Sequence, residues 1–146
     1  MERRRFIQAL GTVCALGLPL GAHARAVPLV TVHKSPACGC CGEWVAHLRA
    51  NGFRVEVRDD ADVSPVKRTY GVPERLASCH TAIVSGYVLE GHVPAADVHR
   101  LLRERPKLKG LAVAGMVPGS PGMAGAAQPY ETLAFDATRS WIFQRH

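Results

Sequence analysis

The pattern of apolar runs and turn residues predicts an α/β domain with elements in the order β-α-β-α-β-β-α. Three observations carry that reading. A β-branched run, Leu29-Val30-Thr31-Val32-His33, is followed by a tight turn and then by apolar residues at helical spacing. A strictly alternating run comes next, Phe53-Arg54-Val55-Glu56-Val57-Arg58, so the first three elements read as a βαβ unit with parallel strands and a right-handed crossover. Further on, Thr81-Ala82-Ile83-Val84 and Tyr87-Val88-Leu89 are separated only by Ser85-Gly86, a two-residue hairpin turn.

Each element has a local reason. Pro36 and Gly39 shape the turn after the first strand. From Cys41, the residues Trp44, Val45 and Leu48 form one helical stripe, and Asn51-Gly52 closes the helix because glycine takes the left-handed conformation there without penalty. The run Phe53 to Arg58 alternates, so one of its faces is wet. Asp59 to Asp62 is a polar break. Ser64-Pro65 predicts an N-cap with proline at the first helical position, opening a short helix that runs to Tyr70 and stops at Gly71-Val72-Pro73. A helix follows from Pro94 to Arg105, with Val98, Leu101 and Leu102 inward, and Pro106 ends it. Lys107 to Gln128 has no period. It carries Met116 and Met123 among glycines and prolines and predicts one long loop, too apolar for a free linker. Tyr130 to Phe135 and Ser140 to Gln144 predict a terminal hairpin, with Leu133, Phe135, Ile142 and Trp141 on its apolar face. The whole order, with a C-x-x-C directly after the first strand, is thioredoxin-like.

Residues 1–26 read as an export signal rather than as part of the fold. Met1 to Arg5 is basic, Phe6 to Leu20 is apolar but short, and Ala24-Arg25-Ala26 is a small-residue cleavage pattern, with Ala22-His23-Ala24 as a second. Arg3-Arg4-Arg5-Phe6-Ile7 fits the twin-arginine pattern, which is preferred here over an ordinary secretory signal. That route carries folded proteins and suits one loaded with a cofactor before export. Removing the signal takes away Arg3, Arg4, Arg5 and Arg25 but only Glu2, so half of the formal charge of +6 leaves with it. Residues 27–146 then make one domain, placed in the periplasm, with no stable membrane insertion once the signal is gone. No basic stripe or aromatic platform points to nucleic acid.

Cys14 also lies in the signal, which leaves four cysteines in an oxidising compartment. Three of them are packed into Cys38-Gly39-Cys40-Cys41, at a helix N-terminus, where free N–H groups favour thiolates. The fourth, Cys79, precedes His80 in the loop before the third strand. In a thioredoxin-like fold that loop lies against the C-x-x-C, and a cis-proline usually ends it. Here a cysteine and a histidine stand in its place, so four thiols and an imidazole are expected to converge.

Three chemistries compete for such a constellation. A thiol–disulfide oxidoreductase needs only Cys38 and Cys41 and has no use for Cys40. A single structural zinc ion wants four ligands aimed at one tetrahedral centre, and the adjacent pair Cys40-Cys41 is awkward for that. A multinuclear site relaxes the geometry, because bridging thiolates serve two metals each, and soft thiolates select Cu(I). The copper cluster ranks first, the dithiol second and zinc third. On spacing alone, His92 reads as a solvated or capping loop histidine, and Met116 and Met123 as flexible fillers. His33 ends the first strand within reach of the site. His47 and His99 read as surface residues, His146 as a terminal residue without a role, and Trp44 as core that also shields the thiols.

Four spaced blocks of this chain resemble the CopG-type periplasmic copper-resistance proteins, a metal-binding family long without an assigned function. They are Cys38-Gly39-Cys40-Cys41-Gly42 with Trp44, then Ser78-Cys79-His80-Thr81, then Glu90-Gly91-His92-Val93-Pro94-Ala95, and Gly110-Leu111-Ala112-Val113 through Gly119-Ser120-Pro121-Gly122-Met123. The segment Ala114-Gly115-Met116-Val117-Pro118 departs slightly, since family members more often carry proline sooner after this methionine. The resemblance implies a thioredoxin-like domain that binds several copper ions through Cys38, Cys40, Cys41 and Cys79. It adds His80, His92 and Met123 as site residues, and implies copper resistance, with Cu(I) and Cu(II) interconverted by a copper oxidoreductase activity. Sequestration, or delivery by a copper chaperone to other periplasmic copper-handling proteins, remains open beside it.

Overall fold

The computed structural model describes residues 26–146; the expected signal segment, apart from Ala26, lies outside the described residues. The elements are β1 (Leu29–Lys34), α1 (Gly39–Ala50), β2 (Arg54–Asp59), α2 (Ser64–Tyr70), a 3₁₀ turn (Glu74–Leu76), β3 (His80–Val84), β4 (Tyr87–Glu90), α3 (Ala95–Glu104), β5 (Gly110–Ala112), β6 (Glu131–Phe135) and β7 (Ser140–Arg145). They build one mixed sheet in the order β2-β1-β3-β4-β5-β6-β7. β1 runs parallel to β2, and β4 parallel to β5; the other neighbours are antiparallel. The mixed α/β class and the order β-α-β-α-β-β-α are those read from the sequence.

The helical stripe of α1 is fully committed to the core. Trp44 and Leu48 are completely buried and Val45 nearly so, against Val30 and Val32 of β1 and Ala82 and Val84 of β3. Each such aliphatic burial stabilises by about 1.5–3 kcal/mol. From α3, Val98 and Leu101 are buried, with Leu102 packed at the edge of the same cluster. Gly52 closes α1 at φ +87°, and Ser85 and Gly86 both take positive φ, the geometry that a two-residue hairpin needs.

Three expectations need correction. The stretch after α3 is not all loop: Gly110–Ala112 is β5, which joins the parallel β4 to the antiparallel β6. A Cβ at Gly110 would run into the carbonyl of Val88, so only glycine lets this strand approach β4. Ser64 is not the N-cap of α2. Val63 holds that position, and the Ser64 amide donates to Asp62 Oδ1 at 2.9 Å, so the aspartate satisfies the free helix end. In the terminal hairpin, Phe135 is buried, but Ile142 and Trp141 are exposed. Phe143 packs on the core instead. A register shift at Thr132/Leu133 changes the alternation there, and β7 is the outermost strand. No helix among the described residues is long and apolar enough to cross a membrane.

Candidate metal centre

The C-terminal end of β1 delivers the chain into a turn whose last residue, Cys38, is the N-cap of α1. Cys40 and Cys41 therefore occupy the first helical turn. Cys41 points into the core and is fully buried, while Cys38 and Cys40 are half-buried. Cys38 and Cys41 are joined by a disulfide, and Cys40 and Cys79 are free thiols. Cys40 Sγ lies 3.6 Å from Cys38 Sγ. A Cβ at Gly39 or Gly42 would meet nothing within 4 Å, so the turn is open on its outer side.

Cys79 approaches from the loop before β3, as expected. The sulfurs of Cys38, Cys40, Cys41 and Cys79 all lie within 4.8 Å of one another. Cys79 belongs equally to a second set, with His80 and His92, drawn together within the same limit. Its Sγ is 3.4 Å from His80 Nδ1 and 3.3 Å from His92 Nε2. The thiol is pushed up to about 11, first by burial and then by the neighbouring Cys40, so it is protonated in this state.

The two imidazoles are held differently. His92 Nδ1 lies 2.6 Å from the Pro121 carbonyl. A carbonyl only accepts, so Nδ1 carries the hydrogen and Nε2 presents its lone pair to Cys79. This is the arrangement that orients a metal-binding histidine. His80 begins β3, opposite Lys34 of β1. Its ring is completely buried, 4.3 Å from Trp44 and 5.2 Å from His92 between ring centroids. Burial, aided by the positive charge of its neighbours, pushes its pKa down to about 3, so the ring is neutral. His80 Nε2 is the one buried side-chain nitrogen or oxygen among the described residues without a hydrogen-bond partner. A buried polar atom left unpaired is costly, and a neutral ring with one nitrogen facing Cys79 and the other unpartnered fits a metal-binding role.

Trp44 closes the inner wall. Its Nε1–H donates to the Val93 carbonyl at 2.9 Å, which ties α1 to the segment carrying His92. The Gly/Pro/Met loop closes another side. A Cβ at Gly122 would sit 2.7 Å from Trp44 N and 3.0 Å from the Cys40 carbonyl. The loop thus lies directly on the first turn of α1. Met123, the next residue, is half-buried there, whereas Met116 is exposed.

The other histidines have separate duties. His33 Nδ1 pairs with Asp60 at 2.7 Å and is not among the converging donors. His47 Nε2 accepts the Ala95 amide at 3.0 Å and so caps α3 from outside. His99 is exposed, stacked on Phe53. His146 is not idle: it pairs with Asp97 at 2.9 Å and stacks on Tyr130. A carbonyl with a function, that of Pro121, was invisible in the sequence because main-chain groups carry no residue signature. The buried Glu90 with its partners Thr81 and the half-buried Lys67 was likewise missed, although Glu90 opens the Glu90-Gly91-His92 block.

A family model described as a protein of unknown function, DUF411, matches residues 76–123. No curated protein matches the chain. Two solved structures do, both titled copper resistance protein CopG. Form 2 is 41% identical, covers 82% of this chain and 98% of its own, and superposes with a TM-score of 0.78. Form 1 is 42% identical, covers 81% of this chain and 96% of its own, with a TM-score of 0.76. At that identity, over nearly the whole length of the solved chains, this chain belongs to the family of the copper resistance protein CopG.

Proposed function

We propose that the chain is a periplasmic copper-binding protein of copper resistance, holding more than one copper ion in a thiolate-bridged site. The single observation that carries this is the shared position of Cys79, which belongs at once to a four-sulfur set and to a sulfur-plus-two-imidazole set. Once the Cys38–Cys41 disulfide is reduced, Cys38, Cys40, Cys41 and Cys79 would hold the copper through their thiolates. His80 and His92 would be nitrogen donors, His92 through Nε2, and Met123 an outer thioether. Thiolates favour Cu(I) and imidazoles suit Cu(II), so a mixed set would tolerate both oxidation states, and their interconversion would exchange one electron per ion with an external redox partner. Opening the Cys38–Cys41 disulfide takes two electrons and two protons from a thiol reductant, and it raises the number of thiol donors from two to four. Residues 1–26 are the export signal and residues 27–146 the mature domain, which meets copper ions and other copper-handling proteins in the periplasm.

The disulfide supports a second reading, a thiol–disulfide oxidoreductase that uses Cys38 and Cys41. Metal content per chain of the reduced protein separates the two, read alongside Cys40→Ser. The cluster predicts more than one copper per chain, falling in the variant, with copper-edge spectra reporting sulfur bridging. At most one copper per chain with Cys40 dispensable, together with disulfide reductase activity in the metal-free protein, refutes it. Transfer of copper to an acceptor with no change of oxidation state would instead support a chaperone.

A further inference from the structure

Behind the Cys79–His80 loop sits a buried carboxylate that makes no hydrogen bond to any of the donors. Glu90, the last residue of β4, is completely buried. Its Oε1 accepts from Lys67 Nζ at 2.5 Å and from the Ser78 amide at 2.6 Å, and its Oε2 accepts from the Thr81 hydroxyl at 2.7 Å. Lys67 Nζ also donates to Thr81 Oγ1 at 2.9 Å, which closes the network. Burying the carboxylate is costly even with the half-buried Lys67 beside it, and apolar residues of similar volume often serve stability as well, so the pair is weak evidence for a purely stabilising role.

Placement does. Two of the three partners, Ser78 and Thr81, flank Cys79 and His80. The chain of Glu90 itself continues into Gly91 and His92. Gly91 stands at φ +70°, and a Cβ there would meet the Val113 carbonyl at 2.7 Å and Ser78 Oγ at 2.8 Å. Its amide donates to the His80 carbonyl at 3.1 Å. The end of β4 is thus pressed onto the Cys79 loop, and the glycine permits it.

We propose that Glu90 is a positioning residue: its carboxylate ties Ser78 and Thr81 to the strand that leads to His92, and so sets the spacing of the Cys79 thiol from the two imidazoles. Its effect on copper rests on the function proposed above; its effect on Cys79 does not.

The test uses two readouts on the whole domain, Cu(I) affinity by competition with a chromophoric chelator and the alkylation rate of Cys79 in the metal-free protein, followed by peptide mass spectrometry. Glu90→Ala combined with Lys67→Met removes the clamp without stranding a buried charge. It is expected to lower Cu(I) affinity by about tenfold to a hundredfold, the usual effect of losing an outer-shell partner. It also speeds alkylation, because the thiol becomes more accessible. Glu90→Gln keeps an acceptor for the Ser78 amide and stays within a few-fold of the parent. If the double variant does not fold, Thr81→Val removes the two bonds of that hydroxyl, to Glu90 Oε2 and from Lys67 Nζ, leaves the Ser78 bond in place, and shifts both readouts the same way by less. Asp97→Ala is the control, since that buried carboxylate bonds only Thr132 and His146. Unchanged affinity and alkylation in the clamp variants overturn the proposal, as does an equal change in Asp97→Ala. Should the parent bind no copper, the function reading falls, and the alkylation rates still decide the role of Glu90.

Discussion

Gly122→Ala tests whether the Gly/Pro/Met loop is part of the metal centre. The glycine stands at φ +86°, where an L-residue pays about 1–2 kcal/mol. The new Cβ would lie 2.7 Å from Trp44 N, 3.0 Å from the Cys40 carbonyl oxygen and 3.2 Å from the Glu43 carbonyl carbon. All three are backbone atoms of α1, held by the helix and by the buried Trp44 ring, so they cannot swing aside. Overpacking of this kind adds about 1–3 kcal/mol. A central figure is about 3 kcal/mol, or a fall in Tm of about 10 °C for a domain of this size. Relief by lifting the loop would draw the Pro121 carbonyl from His92 Nδ1 and release the ring. Thermal unfolding by circular dichroism, with copper retained per chain after dialysis, reads both routes. Gly42→Ala is the opposite control: it is helical, with nothing within 4 Å of its Cβ, and should gain about 0.5–1 kcal/mol. A Gly122→Ala protein with Tm within about 2 °C of the parent and unchanged copper content would refute the reasoning.

Trp44→Phe loses the Nε1–H bond to the Val93 carbonyl and leaves that acceptor unpaired, which costs about 1–3 kcal/mol in urea denaturation; an unchanged midpoint would deny the bond a role. His80 stays neutral in the folded protein down to about pH 3, against 6.5 for a free ring. Between those values the unfolded chain binds the extra proton, so this residue makes stability fall as pH is lowered from 6.5 towards 3. Denaturation midpoints of His80→Gln across that window should fall less steeply than the parent's; equal slopes would show that the ring is not buried neutral. Gly110→Ala drives a Cβ into the Val88 carbonyl, and should abolish soluble expression or leave β5 unprotected in hydrogen exchange.

The strands and α-helices from β1 to α3 were legible because their signals are local. The alternation Phe53 to Arg58, the stripe Trp44, Val45 and Leu48, and the Ser85-Gly86 turn each need only neighbouring residues. β5 has three residues, fewer than a period can show, inside a stretch whose glycines argue for a loop. Its strand character comes from pairing with β4 and β6, which no window of sequence contains. The same division holds at the site. Three thiols in four residues announce themselves, and Cys79-His80 could be placed against them through the expected fold. The clamp by Glu90, the cap by His47 and the pairing of His146 with Asp97 join residues that are 9 or more positions apart. Their chemistry is ordinary until the fold brings them together.

The spacing of the sulfurs has a thermodynamic consequence. Cys38, Cys40 and Cys41 lie so close in sequence that an unfolded, reduced chain presents them together too. A soft ion therefore finds a partial site in the denatured ensemble, and binding stabilises the fold only by the difference between the two affinities. That difference comes from what unfolding disperses: Cys79, His80 and His92. The rise in Tm on loading with copper would then measure these long-range donors alone, and a tightly bound ion could still leave the protein only slightly harder to melt.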